Sequence, residues 1–216
     1  MPTIVDLVEP ATTTILCHEM QRGVVGDLAA PGFKTAEAVA EAGVIPAAAR
    51  LFDAARAQGI RVIHCAAAFR KDHAGSFANT PQLANLMTNP NYLIVGTPSV
   101  DPVPELWQPD VDIVMQRFHG MSSFAGTELD WLLKSMGTRT VIVTGVSLNR
   151  GVTGLTIEAV NYGYRVVIPT DCVVGYPKQY SDLVLEHTLS ALAWLTTSGE
   201  VTASWPRLAT STPGTL

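Results

Sequence analysis

Three short stretches hold the side chains able to do chemistry: His18-Glu19-Met20-Gln21-Arg22, Gln116 through Phe124, and Ser147 through Val152. Each follows an apolar run of strand length. In the first, Glu19 is a candidate general acid or base if a dry pocket raises its pKa; standing alone, it reads equally as a solvated carboxylate. In the second, Arg117 offers a planar fork for a substrate carboxylate, or an ordinary surface ion pair. In the third, a tight turn leads into a helix. Free backbone N–H groups and a positive helix end then meet near Gly151, an arrangement that favours an anion or a developing oxyanion. That glycine reads just as well as a residue that lets backbone approach closely.

Other chemistries fail on spacing. Thr144 through Asn149 has the position of a nucleophile elbow, but Asn149 stands where G-x-S-x-G needs its second glycine, and no histidine is clearly placed to serve Ser147. There is no G-x-G-x-x-G after the first strand and no G-x-x-x-x-G-K-[ST], so the dinucleotide and P-loop readings fall. His18, His64, His73, His119 and His187 show no metal-ligand spacing. Neither a metal nor a cofactor is predicted.

The elements that must position these residues are legible as a pattern. Thr13–Cys17, Arg61–Cys65, Val111–Met115, Thr140–Val146 and Arg165–Pro169 are short, apolar and rich in β-branched residues. Segments with helical spacing separate most of them, which predicts an α/β fold: a three-layer, doubly wound, mainly parallel sheet. Val44, Ala48, Leu51 and Ala55 form one helical stripe, with Pro46 in the first turn and Gly59 at the stop. Thr127 can cap a helix carrying Leu129, Leu132, Leu133 and Met136. Val152, Leu155, Ala159 and Tyr162 form a third stripe. A last helix is predicted near Gln179–Leu195. A Pro- and Asn-rich loop is expected from about 79 to 109, and a flexible tail over about 206–216, in one domain spanning 1–216. Ligands of such sheets bind beyond the carboxyl ends of the strands, where the three stretches lie.

Composition narrows the function classes. At 216 residues and 47 % hydrophobic content the chain can bury a sizeable core. Charged residues make up only 15 %, against roughly 25 % in average domains, so part of the surface is expected to be covered in a homo-oligomer. A net charge of −5 without a cluster of Lys and Arg removes the footprint that nucleic acid or an anionic membrane needs. Cys17, Cys65 and Cys172 are odd in number and set in apolar sequence, which predicts reduced core thiols rather than disulfides. Without a signal-peptide pattern or an apolar stretch of about 20 residues, a cytoplasmic location is expected.

In order along the chain come Glu19-Met20-Gln21, Ser122-Ser-Phe-Ala-Gly-Thr-Glu-Leu-Asp130, Val141-Ile-Val-Thr-Gly-Val-Ser-Leu-Asn149, Thr156 through Tyr164, and Pro169-Thr170-Asp171. Over about residues 12–203 this succession resembles the isochorismatase-like hydrolases. The resemblance puts the family's acid on Glu19, its basic residue on Arg117, and its nucleophilic cysteine at Gly151. Arg117 stands one residue farther from Phe124 than the usual Lys, which leaves Gln116, Phe118 and His119 as alternatives. It also puts a cis peptide at Val146-Ser147. Gly151 has no side chain to attack with, so thioester chemistry is excluded. The resemblance then implies hydrolysis of a small cyclic or aromatic molecule with Glu19 as acid or base. The bond would be a vinyl ether, cleaved by a protonated Glu19 of raised pKa, or one opened by water; a catalytically silent binding protein is the alternative. Gln21, Phe118, His119, Ser147, Asn149 and Arg150 are expected to contact substrate or oxyanion, and Phe33, Met121 and Tyr176 to line the pocket. A further option is Cys17 as nucleophile, since strand alternation sets it on the side of Glu19.

Overall fold

The computed structural model describes residues 2–206; the predicted tail, beyond Pro206, lies outside them. Six parallel strands, β1 (Thr13–His18), β2 (Arg61–Ala67), β3 (Ile113–Arg117), β4 (Thr140–Gly145), β5 (Arg165–Pro169) and β6 (Trp194–Thr196), form one sheet in the order β3-β2-β1-β4-β5-β6. β1 and β4 are buried at every position, as strands covered on both faces must be. The helices are α1 (Ile4–Leu7), α2 (Lys34–Ala42), α3 (Val44–Ala57), α4 (Pro81–Leu86), α5 (Leu129–Ser135), α6 (Thr153–Asn161), α7 (Lys178–His187) and α8 (Ser198–Ala203). Leu51, Phe52 and Ala55 of α3 and Val201 of α8 pack one face of the sheet, against Ile15, Val62 and Ile142. Leu129 and Leu133 of α5 and Leu155 and Ala159 of α6 pack the other, against Leu16, Val143 and Val166. No helix among the described residues is long and apolar enough to cross a membrane.

Several expected boundaries move, each for a local reason. β3 begins at Ile113 rather than Val111, because Asp112 is held at its entrance by Gln108 N–H at 2.9 Å and by the Arg56 guanidinium. Arg117 therefore ends the strand instead of following it. The expected helix over 179–195 stops at His187. A single 3₁₀ turn, Leu189–Ala191, continues the apolar spacing, and Trp194–Thr196 then pairs with β5 as a sixth strand too short to show alternation. The expected loop over 79–109 contains α4, whose start is written in Thr80-Pro81: the Thr80 hydroxyl accepts from Leu83 N–H at 3.1 Å. Thr127 does serve the start of α5, accepting from Leu129 N–H at 3.2 Å. Tyr162 is half exposed rather than core; it follows the end of α6 and stacks on Phe124 at 5.0 Å.

β1 and β4 are neighbours although their connections leave in opposite directions, and this is where the sheet opens a crevice beyond its carboxyl ends. The two strand ends come very close. A Cβ on Gly145, whose φ is +102°, would lie 2.9 Å from His18 N and nearer still to its carbonyl oxygen, so only glycine fits there.

Candidate active site

A cavity of about 350 Å³ opens at this crevice, a volume suited to a small molecule. Glu19 leaves β1 with φ +52°, a left-handed conformation costly for a residue with a side chain and found where the surroundings enforce it. Glu19 N–H donates to Cys65 O at 3.0 Å, tying the turn to β2. β2 ends in Ala66-Ala67, and Ala67 pairs in register with Arg117 of β3. Ala67, on the same face as Arg117, leaves room for the guanidinium to reach across β2. Its Nη2 donates to Glu19 Oε1, forming an ion pair whose arginine side chain is 3 % exposed and whose glutamate is 24 % exposed.

Burial pushes the Glu19 carboxyl upward in pKa, but the Arg117 charge, the neighbouring His18 and the Arg117 hydrogen bond outweigh it, and the net displacement is downward. The expectation of a raised pKa is thereby overturned: an apolar pocket alone would have raised it, and a buried guanidinium inside that pocket reverses the sign. Glu19 is held as a carboxylate. Arg117 Nε and Nη1 are buried without an acceptor among the described residues.

Ser147, after β4, lies on the cavity wall with Val146 and Arg150. The Val146-Ser147 peptide is cis. Among the described residues Ser147 N–H has no acceptor. Its hydroxyl donates to Asn149 Oδ1 at 2.8 Å, while Asn149 Nδ2 donates to Tyr176 O at 3.3 Å. Asn149 is thus spent on pinning two loops and is not on the wall. The chain then winds one π-helical turn, Leu148–Val152, before α6. Arg150 stands exposed at the rim, its Nη1 donating to Gln82 Oε1 at 2.7 Å.

Several other sequence-predicted residues are placed elsewhere. Gln21 is buried, and its amide is used internally: Nε2 donates to Ala67 O and Val100 O, and Oε1 accepts from Ala67 N–H, all at 2.9 Å. It is a clamp behind the site rather than a substrate contact. Replacing it by Leu would leave three buried backbone groups unpaired, with an expected loss of about 3 kcal/mol in urea unfolding. Phe118 and His119, just past the end of β3, do not line the cavity; Ser76 Oγ donates to Phe118 O at 2.5 Å, and His119 packs on Phe77. Gly151 is buried against the His18 ring and does not line the cavity. Cys17 lies in the core, free and 1 % exposed. Burial drives its thiol far up, and pushes that of Cys65 to about 12, so neither offers a thiolate.

Phe33, Met121 and Tyr176 do reach the wall. Sequence reasoning missed Phe69, Leu83 and Tyr92, which complete its apolar side. Tyr92 is held near the Glu19 carboxylate, and burial with that charge drives its phenol well above its usual range. Only the capping signal of α4 pointed to Leu83. Among the described residues no group of three His, Cys, Asp or Glu side chains is placed to hold a metal ion.

The family model described as the isochorismatase domain matches residues 13–200. Among solved structures, an isochorismatase family protein from Desulfovibrio vulgaris superposes with a TM-score of 0.76 at 24 % identity, covering 89 % of this chain and 97 % of its own. A cysteine hydrolase from Pseudomonas syringae gives 0.74 at 21 %, covering 92 % and 94 %. An N-carbamoylsarcosine amidase from Thermoplasma acidophilum gives 0.66 at 18 %, covering 87 % and 96 %. At these identities the structural likeness shows the shared fold.

Proposed function

Because this chain belongs to the isochorismatase family, whose fold is that of a hydrolase superfamily, we propose that it hydrolyses a small cyclic or aromatic molecule without a covalent cysteine, using Glu19 as general base toward water. The observation that carries this reading is the Glu19–Arg117 pair on the wall of the cavity. A carboxylate held ionised takes a proton from water and does not start the reaction as an acid. Of the two hydrolytic routes, the geometry therefore favours water attack on an ester or amide over protonation of a vinyl ether.

Water beside Glu19 adds its oxygen to the substrate carbonyl carbon while its proton passes to the carboxylate. The carbonyl oxygen becomes an oxyanion next to Ser147 N–H, which has no other acceptor among the described residues. Collapse breaks the bond to the leaving group, which receives the proton from Glu19. Arg117 keeps Glu19 ionised at the start and stabilises it again at the end. The apolar wall of Phe33, Phe69, Leu83 and Tyr92 suits a ring.

Turnover of a panel of small cyclic esters, amides and vinyl ethers by the purified protein, read by mass spectrometry, tests the reading. Ester or amide hydrolysis is the expected result. Turnover of vinyl ethers alone would restore Glu19 as an acid, and ligand-raised melting temperature without any turnover would mark a binding protein. Pretreatment with iodoacetamide is expected to leave the rate unchanged within about twofold, since the three cysteines are buried and the thiolate is the reactive form; inactivation that tracks labelling of Cys17 would reinstate a thiol nucleophile.

A further inference from the structure

His18 precedes Glu19 and is completely buried. Its Nδ1 lies 2.6 Å from Val146 O. A carbonyl oxygen only accepts, so Nδ1 carries the hydrogen and donates. The ring is thereby pinned in orientation to the turn after β4. Its Nε2 is buried without a partner among the described residues. The imidazole lies directly over Gly151: a Cβ at that position would come within 2.9 Å of Nδ1, 3.2 Å of Nε2, and closest of all to Cε1. Real Cβ atoms do not tolerate such contacts in a packed interior, and a buried, pinned ring has no empty space to swing into.

We propose that His18 is the residue that commits this site to nucleophile-free chemistry: its imidazole fills the seat of any side chain at position 151, so that a thiol can be installed there only when the ring is removed. The missing nucleophile and the buried histidine are then one feature, in which the volume beside the turn has been reassigned from residue 151 to residue 18. The catalytic meaning rests on the hydrolase reading above, whereas the occupancy is tested without substrate. An activity panel that lacks the true substrate would leave that test intact.

The test is a pair of coupled substitutions. Gly151→Cys alone is expected to lower the melting temperature by about 5 °C or more, as overpacking of a core does. His18→Ala/Gly151→Cys is expected to melt above Gly151→Cys, although His18→Ala by itself removes buried contacts. Gly151→Ala and His18→Ala/Gly151→Ala read the same coupling with a smaller side chain, should the thiol variants fail to fold. His18→Asn/Gly151→Cys keeps a donor for Val146 O while deleting the atoms over residue 151. In the folded double variants, iodoacetamide is expected to label the introduced thiol at least tenfold faster than in Gly151→Cys, against the silent background of Cys17, Cys65 and Cys172. The proposal is overturned if Gly151→Ala and Gly151→Cys melt with the parent protein, if loss of the ring brings no recovery, or if the introduced thiol labels equally fast with and without His18.

Discussion

Glu19→Gln is expected to reduce kcat/KM by about 10³-fold, within the 10²–10⁴ range of a positioned acid or base. The amide keeps the shape of the carboxylate and can still accept from Arg117, but it cannot take a proton from water. The pH profile gives the second signature. Arg117 holds the Glu19 carboxyl below its ordinary value against the opposing effect of burial. The active, ionised form is therefore full at neutral pH and is lost only as pH falls through that lowered pKa. The acidic limb of kcat/KM should lie below the usual glutamate range, and Glu19→Gln should abolish the limb together with the rate. Arg117→Met separates the two effects. With the guanidinium gone, burial alone acts on Glu19, the limb should move toward neutrality, and a residual rate should survive above it. A limb that stays in place in Arg117→Met, or a Glu19→Gln protein that retains a tenth of the parent rate, would remove Glu19 from the role of base.

Much of this site was readable from residue types alone, and what was not readable has physical causes. Glu19 lies just past a run that is β-branched or apolar throughout, the mark of a doubly covered strand, and Ser147 follows another; parallel neighbours must deliver both to the same edge. Arg117 was found by type, yet its partner was not. A side chain from β3 reaches β1 across the small Ala67 of β2, and pairing across an intervening strand has no spacing in one dimension. That unseen partner also reversed the expected pKa of Glu19. Gln21 misled because an amide beside an acid looks the same whether it faces substrate or three backbone groups behind the sheet. Phe118 and His119 misled because β3 runs two residues past its expected end, so the residues taken for the loop over the cavity fall just beyond the strand end, where Phe118 O accepts from Ser76 and His119 packs on Phe77. Tyr92 and Leu83 come from a long connection without hydrophobic period, where sequence pattern is silent by nature. The steric claim of His18 on the space beside Gly151 joins the end of β1 to the turn before α6, far apart in sequence, and only their packing makes it visible.

Asp112→Ala is expected to cost about 3–5 kcal/mol of unfolding free energy, more than any single change in the catalytic crevice. The Asp112 side chain has no exposure to solvent. Its Oδ2 accepts from Arg56 Nη2 at 2.7 Å, His64 Nε2 at 3.1 Å and Gln108 N–H at 2.9 Å, and Oδ1 accepts from Arg56 Nε at 3.0 Å. Arg56 Nη2 also donates to Leu106 O at 2.6 Å, so one carboxylate joins α3, β2 and the connection into β3. Removing the carboxylate leaves a nearly buried guanidinium with only the exposed Asp53, which accepts from Nη1 at 2.9 Å, as counter-charge, and leaves Nε without its acceptor; that costs far more than the pair gains over an apolar substitute. The double substitution Arg56→Met/Asp112→Leu should accordingly be less damaging than Asp112→Ala, a non-additivity that urea unfolding can measure. The pH dependence has a definite sign. Burial pushes the carboxyl up, but hydrogen bonds from His64, Arg56 and Gln108 N–H prevail and hold it at about 2. A folded-state pKa below the unfolded one gives stability that is complete above the unfolded value and lost as pH falls toward the folded value. The parent protein should therefore shed about 2 kcal/mol between roughly pH 5 and pH 2 on account of this residue, and Asp112→Ala should lack that part of the slope. Asp112 stands at the amino end of β3 and the cavity at the carboxyl ends of the strands. The variant, where folded, should thus keep the kcat of its parent, and a lost kcat in a protein that still unfolds cooperatively would show that the network reaches the site.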